Sequence, residues 1–275
     1  MCELCLQHGE GKKWYEVMRN YSQELYSQNN REKYAQEFIA SSQTTMLPMI
    51  EKMAKMKKHK PALYRPYRSI GTWYMKQNHI GQVVPLEDAL QVLERAQSIT
   101  RIPCVCRSAI KGVKNARYCF ALGMDPFKVF GGFPELKESL EVLTLEQAKA
   151  LVAQFDQEGL VHSIWTFKTP FIGALCNCDQ DCMAYKSTVS LGVMEVIYKG
   201  EYLAHIDHDE CVGCRNCLKY CQFGAIEYSV LDHKCSVNLE KCYGCGLCRS
   251  GCKKDGVRIE GKVKIQLNTK RSNHP

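Results

Sequence analysis

Two runs of four cysteines near the C-terminal end constrain this chain more than any other feature. The first run has the spacing C-x-x-C-x-x-C-x-x-x-C from Cys211 to Cys221, and the second repeats it from Cys242 to Cys252. A cubane of iron and sulfide needs four thiolates at the corners of a tetrahedron, and a C-x-x-C-x-x-C loop wraps three of them around one cluster. A single C-x-x-C pair is also compatible with zinc. Two complete runs favour two [4Fe–4S] clusters.

The fourth cysteine of each run is expected to start the following helix, too far round to close its own cluster, and therefore to reach the other cluster. The predicted ligands are Cys211, Cys214, Cys217 and Cys252 for cluster I, and Cys242, Cys245, Cys248 and Cys221 for cluster II. Gly213, Gly244 and Gly246 allow the loops to fold tightly and to aim backbone N–H groups at the cluster. Cys235, between the runs, is expected to lie outside both clusters.

Over about the last quarter of the chain, the runs and the turn Gln222–Ile226 resemble the bacterial dicluster ferredoxin family. The resemblance implies a small ββ/α unit at about residues 200–262 that transfers single electrons. Apolar residues at 202–206 and 225–228 predict its short strands. The family has proline after each fourth cysteine, whereas Gln222 and Lys253 stand here, which predicts a less rigid turn.

Six further cysteines lie upstream of the runs. A helix that opens at Pro85, an apolar segment and a C-x-C pair are followed by a helix that opens at Thr144, another apolar segment and a second C-x-C pair. Gln147 completes a capping box with Thr144, and Gly159 is suited to end that helix. If this order is a true repeat, the two pairs face each other across a short sheet and six thiols gather around one point. The candidate ligands are Cys104, Cys106, Cys119, Cys176, Cys178 and Cys182.

The upstream pattern of C-x-C-R, then Cys119 with Gly123, then Gly159 to His162 and C-N-C resembles a loosely defined group of anaerobic iron–sulfur proteins. In that group a cysteine-rich domain precedes a dicluster ferredoxin, which implies a further metal or cluster site here. An additional iron–sulfur cluster is favoured, while a structural zinc and unligated core cysteines stay open. His162 and Arg107 are candidates for a ligand and a thiolate hydrogen bond, or are ordinary structural residues.

The rest of the chain predicts an α+β fold in three parts. Residues 1–84 form a helical region, 85–199 a mixed cysteine-rich domain, and 200–275 the dicluster domain with a basic tail. Helical periodicity runs from residue 14 to about 60, and Pro61 to Gly81 is expected to be an irregular connector. Cys2 and Cys5, with His8 nearby, form half a metal site that a group elsewhere in the fold or in a partner would complete.

Composition limits the setting and the partners. The count of 17 cysteines, closely spaced and without a signal peptide, indicates metal ligation in a reducing, cytoplasmic and anaerobic environment. No stretch approaches the ~20 apolar residues of a membrane span. The net charge of +8 is densest from Lys52 to Lys60 and lacks a nucleic-acid motif, so it favours a solvated helix face or docking of an acidic redox partner.

The leading functional interpretation is an electron-transfer protein or subunit. It would relay single electrons through two clusters, to or from a third cluster or an acidic or flavin-containing redox partner. The alternative is a reductase whose upstream cysteine site binds and reduces a substrate. A docking subunit, with the N-terminal region as interaction module, is a third interpretation. No G-x-G-x-x-G fingerprint is present, so a flavin or nicotinamide would belong to a partner.

Overall fold

A computed structural model of the chain describes residues 2–113, 116–180 and 182–262, except the side chain of Gln43. Helices and strands are mixed along these residues, in agreement with the α+β expectation. Helices α1–α13 span Glu3–His8, Gln23–Ser27, Arg31–Thr44, Met46–His59, Pro61–Asn78, Leu86–Arg95, Val105–Lys111, Pro126–Val129, Pro134–Lys137, Leu145–Gln157, Met183–Tyr185, Asn216–Tyr220 and Leu247–Ser250. Two 3-10 turns (Trp14–Glu16, Met18–Tyr21) and a π turn (Lys186–Ser190) complete the helical segments. The predicted basic tail beyond residue 262 lies outside the described residues.

A seven-stranded mixed sheet forms the centre of the molecule, in the order β4-β2-β3-β6-β5-β1-β7. Its strands β1–β7 span Gly81–Val83, Ile99–Ile102, Cys119–Leu122, Glu141–Val142, Val161–Thr166, Ile172–Cys178 and Ile197–Tyr198. The pairs are antiparallel except β1 with β7. The central strands β5 and β6 are well buried on both faces.

The two faces of this sheet carry different chemistry. Side chains alternate along a strand, so Cys176 and Cys178 of β6 share a face. Leu175 and Phe120 point to the opposite face and pack with the buried sides of α6 and α10. One face is thus a conventional apolar core, and the other presents thiols.

The capping signals that the sequence offered for α10 are confirmed. Thr144 Oγ1 accepts from the backbone N–H of Gln147 at 3.3 Å, and Gln147 Oε1 accepts from that of Thr144 at 2.9 Å. Gly159, just beyond the helix, has φ +82°. These local bonds satisfy backbone groups that would otherwise lack a partner at the helix ends, and they fix where β5 begins.

The expected irregular connector at Pro61–Gly81 is wrong, because the structure has an 18-residue helix, α5, at Pro61–Asn78. Pro61 stands at the first turn, where proline is tolerated, although Pro66 lies inside the helix. Tertiary contacts outweigh the cost of Pro66. Tyr64 Oη donates to the carbonyl of Val193 at 2.7 Å, and Gly71 lies so close to Met194 that a Cβ would come within 2.9 Å of its sulfur.

The last part of the described chain holds two small antiparallel sheets. Strand β8 (Tyr202–Ile206) pairs with β11 (Val257–Gly261), and β9 (Ile226–Ser229) pairs with β10 (Lys234–Val237). Helices α12 and α13 contact each other. The strands predicted at 202–206 and 225–228 are therefore confirmed, the second displaced by one residue.

Candidate metal centres

The two C-terminal cysteine runs have the same backbone conformation. Gly213 and Gly244, two residues after the first cysteine of each run, have φ +68° and +71°, and Arg215 and Gly246, two residues further on, have φ +62° and +83°. A Cβ on Gly213 would lie 2.1 Å from the carbonyl oxygen of His233. The two runs thus repeat in backbone conformation as well as in sequence. The glycines are needed because their φ angles are positive and because Gly213 has no room for a Cβ.

The fourth cysteines lie at the ends of the short helices, and the expectation that they start the following helix is wrong. Cys221 ends α12, and Cys252 comes after Gly251 at the end of α13. The reason is that the third cysteine, Cys217 or Cys248, is already within the helix. One helical turn then carries the chain away from its own loop.

Each fourth cysteine lies near the other run. Cys252 borders a small cavity together with three cysteines of the first run, namely Cys211, Cys214 and Cys217. Cys221 is in turn a charge neighbour of Cys245 and Cys248. Burial raises the pKa of both Cys217 and Cys245 to about 12, so these thiols keep their protons at neutral pH unless a cation is bound. Each donor set combines three thiols of one run with the fourth thiol of the other run. Four thiols fit the requirement of a cubane cluster.

The runs differ in exposure. Cys214 is exposed, whereas Cys242 and Cys248 are buried. Cys235 is also buried and borders the first cavity, with its backbone N–H donating to Cys211 Sγ at 3.5 Å. Sequence spacing gave no sign of this closeness. It follows from the β9–β10 hairpin, which folds back over the first run.

The six upstream cysteines form one chain of thiol contacts. Register places Cys119 of β3 opposite Cys176 of β6, and Cys104 Sγ lies 3.4 Å from Cys119 Sγ. Hydrogen bonds continue the chain in the order Cys104, Cys119, Cys176, Cys178, Cys182 and Cys106. The sequence did not establish this order, because it depends on sheet register and on the positions of α7 and α11.

Two of these thiols are acidified by their neighbours. Hydrogen bonds from Cys119 and Cys178 lower the pKa of Cys176 to about 6. Hydrogen bonds from Cys106 and Cys178 lower the pKa of Cys182. Thiolates are the form of cysteine that ligates metals. A buried negative charge is costly without a compensating cation, so this donor set suits a bound metal group.

Beside the six thiols lies an apolar cavity of about 160 Å³. Its other walls include Met46, Met49, Met75, Phe130 and Trp165. Met46 and Met49 belong to α4, so this helix contributes to the wall. His79 also borders the cavity, where it stacks on Trp165 with ring centroids 5.0 Å apart. Burial lowers the pKa of His79 to about 4, so it is neutral at physiological pH.

Arg107 and His162 lie on opposite sides of the sheet. Arg107 borders the cavity, where Nη2 lies 2.8 Å from Asp179 Oδ2, and its charge interacts with the thiols of Cys104 and Cys178. His162 alternates away from the cysteine face, and its Nδ1 lies 2.7 Å from Asn177 Oδ1. The structure thus favours the structural interpretation for His162.

Apolar contacts join the six-thiol site to the second run. Cys245 packs in the same cluster as Phe223 and Tyr243, and as four of the upstream cysteines: Cys106, Cys176, Cys178 and Cys182. The Phe223 and Tyr243 rings are stacked with centroids 4.0 Å apart. The Tyr185 ring, directly before the π turn, has its centroid 5.7 Å from that of Phe223, and its hydroxyl donates to the carbonyl of Gln222.

Comparison with known proteins agrees with this chemistry. The family model of the 4Fe-4S binding domain (Fer4) matches residues 204–227, which include the first run. Pyruvate synthase subunit PorD of Methanothermobacter marburgensis is 31% identical over 55 residues, which are 20% of this chain and 62% of that subunit. The chain thus spans less than two thirds of this relative. Within the described residues no helix combines the length and the apolar character needed to cross a bilayer. The chain is an iron–sulfur protein that carries a 4Fe-4S binding domain.

Proposed function

We propose that this chain is an electron-transfer protein or subunit with two [4Fe–4S] clusters in its C-terminal part, about residues 200–262, and a third iron–sulfur cluster on the six upstream cysteines of residues 85–199. When bound, such a cluster takes up and gives off one electron at a time, at a potential set by charge, hydrogen bonds and exposure. Seventeen reduced thiols suit a reducing, cytoplasmic setting without oxygen.

The thiols divide into three donor sets. Cluster I takes Cys211, Cys214, Cys217 and Cys252, and cluster II takes Cys242, Cys245, Cys248 and Cys221. The matching loop conformations and the exchanged fourth cysteines support this division. Cys104, Cys106, Cys119, Cys176, Cys178 and Cys182 offer more thiols than one cubane requires, and which of them ligate is decided by experiment.

The observation that carries the proposal is that Cys245 of the second run and four cysteines of the sheet face pack into one apolar cluster. Phe223 and Tyr243 fill the space beside it with stacked rings. Shared packing of this kind would hold two redox sites near each other. The same contact would have no such use if the upstream thiols were ordinary core residues.

The exposed residues of the first run indicate the surface at which a redox partner would dock. Cys214 is exposed, and nearby Val212 is 62% exposed. Of the three proposed clusters, the one at the first run would therefore lie nearest the surface. Arg215 lies close by, with its guanidinium 5.0 Å from the Tyr228 ring. An acidic redox protein, or an acidic flavoprotein, suits this surface. PorD is named as a subunit of pyruvate synthase, which makes a subunit role for this chain reasonable.

Reductive titration of the full chain, purified without oxygen, tests the proposal. With three one-electron clusters, the chain should reversibly take up about three electrons, and a Cys214→Ser variant about one fewer. Thr188→Ser, which keeps a hydroxyl, is the control for losses that arise from preparing and handling a variant protein. The proposal fails if the visible absorbance does not bleach reversibly, or if Cys214→Ser takes up as many electrons as the native chain.

The apolar cavity favours a second candidate, a reductase. A space of about 160 Å³ walled by methionine and aromatic side chains lies directly against the six thiols, and electron transfer alone does not require it. A substrate there would be small and apolar. Cyanide, a small iron ligand, should change the paramagnetic spectrum of the reduced chain if this site has an open iron position. An unchanged spectrum contradicts the reductase candidate and leaves electron transfer unaffected.

A further inference from the structure

The N-terminal pair Cys2 and Cys5 belongs to neither the two runs nor the six-thiol site. Cys2 stands before the first turn of α1 and Cys5 lies within it, where it is 1% exposed. Glu201, from the turn between β7 and β8, meets them from 196 residues away along the chain and is 6% exposed. The half site that the sequence presented thus faces a carboxylate in the fold. Among the described residues, His8 is not part of this group.

The distances suit a tetrahedral metal ion. Cys2 Sγ lies 3.5 Å from Cys5 Sγ, and Cys5 Sγ lies 3.2 Å from Glu201 Oε1. The donor atoms of all three residues lie within 4.8 Å of one another. Zinc bonds of ~2.3 Å to sulfur and ~2.1 Å to oxygen place tetrahedral donors roughly 3.8 Å (S to S) and roughly 3.6 Å (S to O) apart. The side chains need to separate by only a few tenths of an ångström.

A surrounding layer of hydrogen bonds already orients the group. Gln82 Nε2 lies 3.5 Å from both Cys2 Sγ and Glu201 Oε1, and its Oε1 accepts from Trp14 Nε1. The backbone N–H of Cys2 donates to Glu201 Oε1 at 3.0 Å. Gln82 and Trp14 are fully buried, so the amide cannot rotate freely. Such outer partners hold ligands in position at metal sites.

The negative charge of this group also favours a bound cation. The hydrogen bond between the two thiols lowers the pKa of Cys2 and raises that of Cys5. Burial would raise the pKa of Glu201, but the hydrogen bonds from Cys2 and Cys5 outweigh it and lower that pKa. Two thiols and a carboxylate therefore share a largely buried site. A divalent ion would compensate the negative charge of the carboxylate and of the sulfurs that ligate it.

We propose that Cys2, Cys5 and Glu201 bind one zinc ion, which fastens the N-terminal helix to the turn that leads into the C-terminal iron–sulfur part. Binding forms two Zn–S bonds and one Zn–O bond, and each thiol releases its proton as it becomes a ligand. Water occupies the fourth position, as at other zinc sites with three protein ligands. The site is independent of the iron–sulfur clusters, so it stands if the proposed function fails.

Zinc and iron analysis of the full chain, purified without oxygen in zinc-containing medium, tests the inference. Relative to the native chain, Cys5→Ser should lose about one zinc per chain and keep its iron. Glu201→Gln, which preserves the shape of the side chain, should bind zinc more weakly and lose it first to a chelator. Glu3→Gln, an exposed carboxylate on the same helix, should behave as the native chain does.

Cobalt provides a second measurement that does not depend on zinc retention. Co²⁺ at this site should give an intense thiolate-to-metal absorption that Cys5→Ser abolishes and Glu201→Gln shifts. Equal zinc in the native chain and in Cys5→Ser would overturn the proposal. So would the loss of several irons with Cys5→Ser, because the pair would then belong to a cluster. Retained iron in both variants shows that they have folded.

Discussion

The C-terminal runs and the upstream six-thiol site present cysteines in two different ways. In the runs, local loops repeat the same left-handed positions, so the spacing in sequence already determines the conformation. Upstream, three separate segments reach one point only because β3 and β6 pair with Cys119 opposite Cys176. The first arrangement is a local motif, and the second is a product of tertiary structure.

The contacts between the thiols differ as well. In the upstream site the six sulfurs form a continuous series of hydrogen bonds beside an apolar cavity. In the C-terminal part, the first three thiols of the first run and Cys252 border a small cavity, with Cys214 at the surface. The proposed electron exchange with a partner would therefore take place at the first run, where Cys214 is exposed.

The largest expected effect is loss of a whole cluster from a single thiol. Cys252→Ala and Cys214→Ser, although 38 residues apart, should each remove the same set of about four irons and the same paramagnetic signal, because both thiols are proposed ligands of cluster I. Iron analysis and spectroscopy of the reduced chain measure this. Cys235→Ser is the matched control, a buried thiol at the same cavity that should keep all the iron. Different signals lost in Cys252→Ala and Cys214→Ser would refute the exchange of fourth cysteines.

A substitution in the upstream site should have a comparable but separate effect. Cys176→Ser removes one of the two thiols with a lowered pKa, and with it the link between Cys119 and Cys178 in the series. We expect loss of the third cluster, about four irons, with the spectra of the C-terminal clusters retained. Cys235→Ser again provides the comparison. Iron content unchanged by Cys176→Ser would make the upstream thiols unligated core residues.

A smaller effect is expected from the loop glycines. At Gly224, φ is +63° and no atom would meet an added Cβ within 4 Å, so Gly224→Ala should cost only the strain of a left-handed residue, about 1–2 kcal/mol. Gly213→Ala adds a clash with the carbonyl of His233. The midpoint temperature for loss of visible absorbance should therefore fall further for Gly213→Ala. Equal midpoint temperatures for Gly213→Ala and Gly224→Ala would contradict the close approach of the His233 carbonyl to Gly213.

The smallest effect concerns the link between the two regions. Ser250 Oγ donates to Asp156 Oδ2 at 2.8 Å, and Ser250→Ala should lower the free energy of unfolding by about 1 kcal/mol. Burial would raise the pKa of Asp156, but its contacts with His162 and Ser250 outweigh burial and lower it. The stabilisation is therefore complete above about pH 4, the unfolded value, and is lost as pH falls through the folded pKa.

Denaturant unfolding followed by tryptophan fluorescence, at pH 7 and below pH 4, measures this difference. Ser69→Ala, which removes an exposed hydroxyl on α5, should leave the free energy of unfolding nearly unchanged at both pH values. If the difference in the free energy of unfolding between the native chain and Ser250→Ala grew towards low pH, it would contradict the lowered pKa of Asp156.

Sequence reasoning succeeded where the determining interactions are local. The capping box at Thr144, the positive φ of Gly213 and the short strand at 202–206 all follow from residues within one turn or loop. It failed at α5, where two prolines suggested a connector but contacts of Tyr64 and Gly71 with a distant segment stabilise the helix.

The candidate sites follow the same division. The grouping of upstream cysteines was anticipated as a possible repeat, but the order of thiol contacts depends on strand register. Glu201, the third member of the N-terminal group, offered no sequence signal, since a single glutamate 196 residues from Cys5 has no recognisable spacing. The cavity walls likewise come from helices and strands far apart in the chain.

The central claim is that the upstream thiols hold a cluster of their own, in addition to the two of the C-terminal runs. Iron and acid-labile sulfide per chain, measured on full-length protein purified without oxygen, test it most directly. Three cubane clusters predict about twelve irons and about twelve sulfides per chain. About eight of each, with the Cys176→Ser variant identical to the native chain, would contradict the claim.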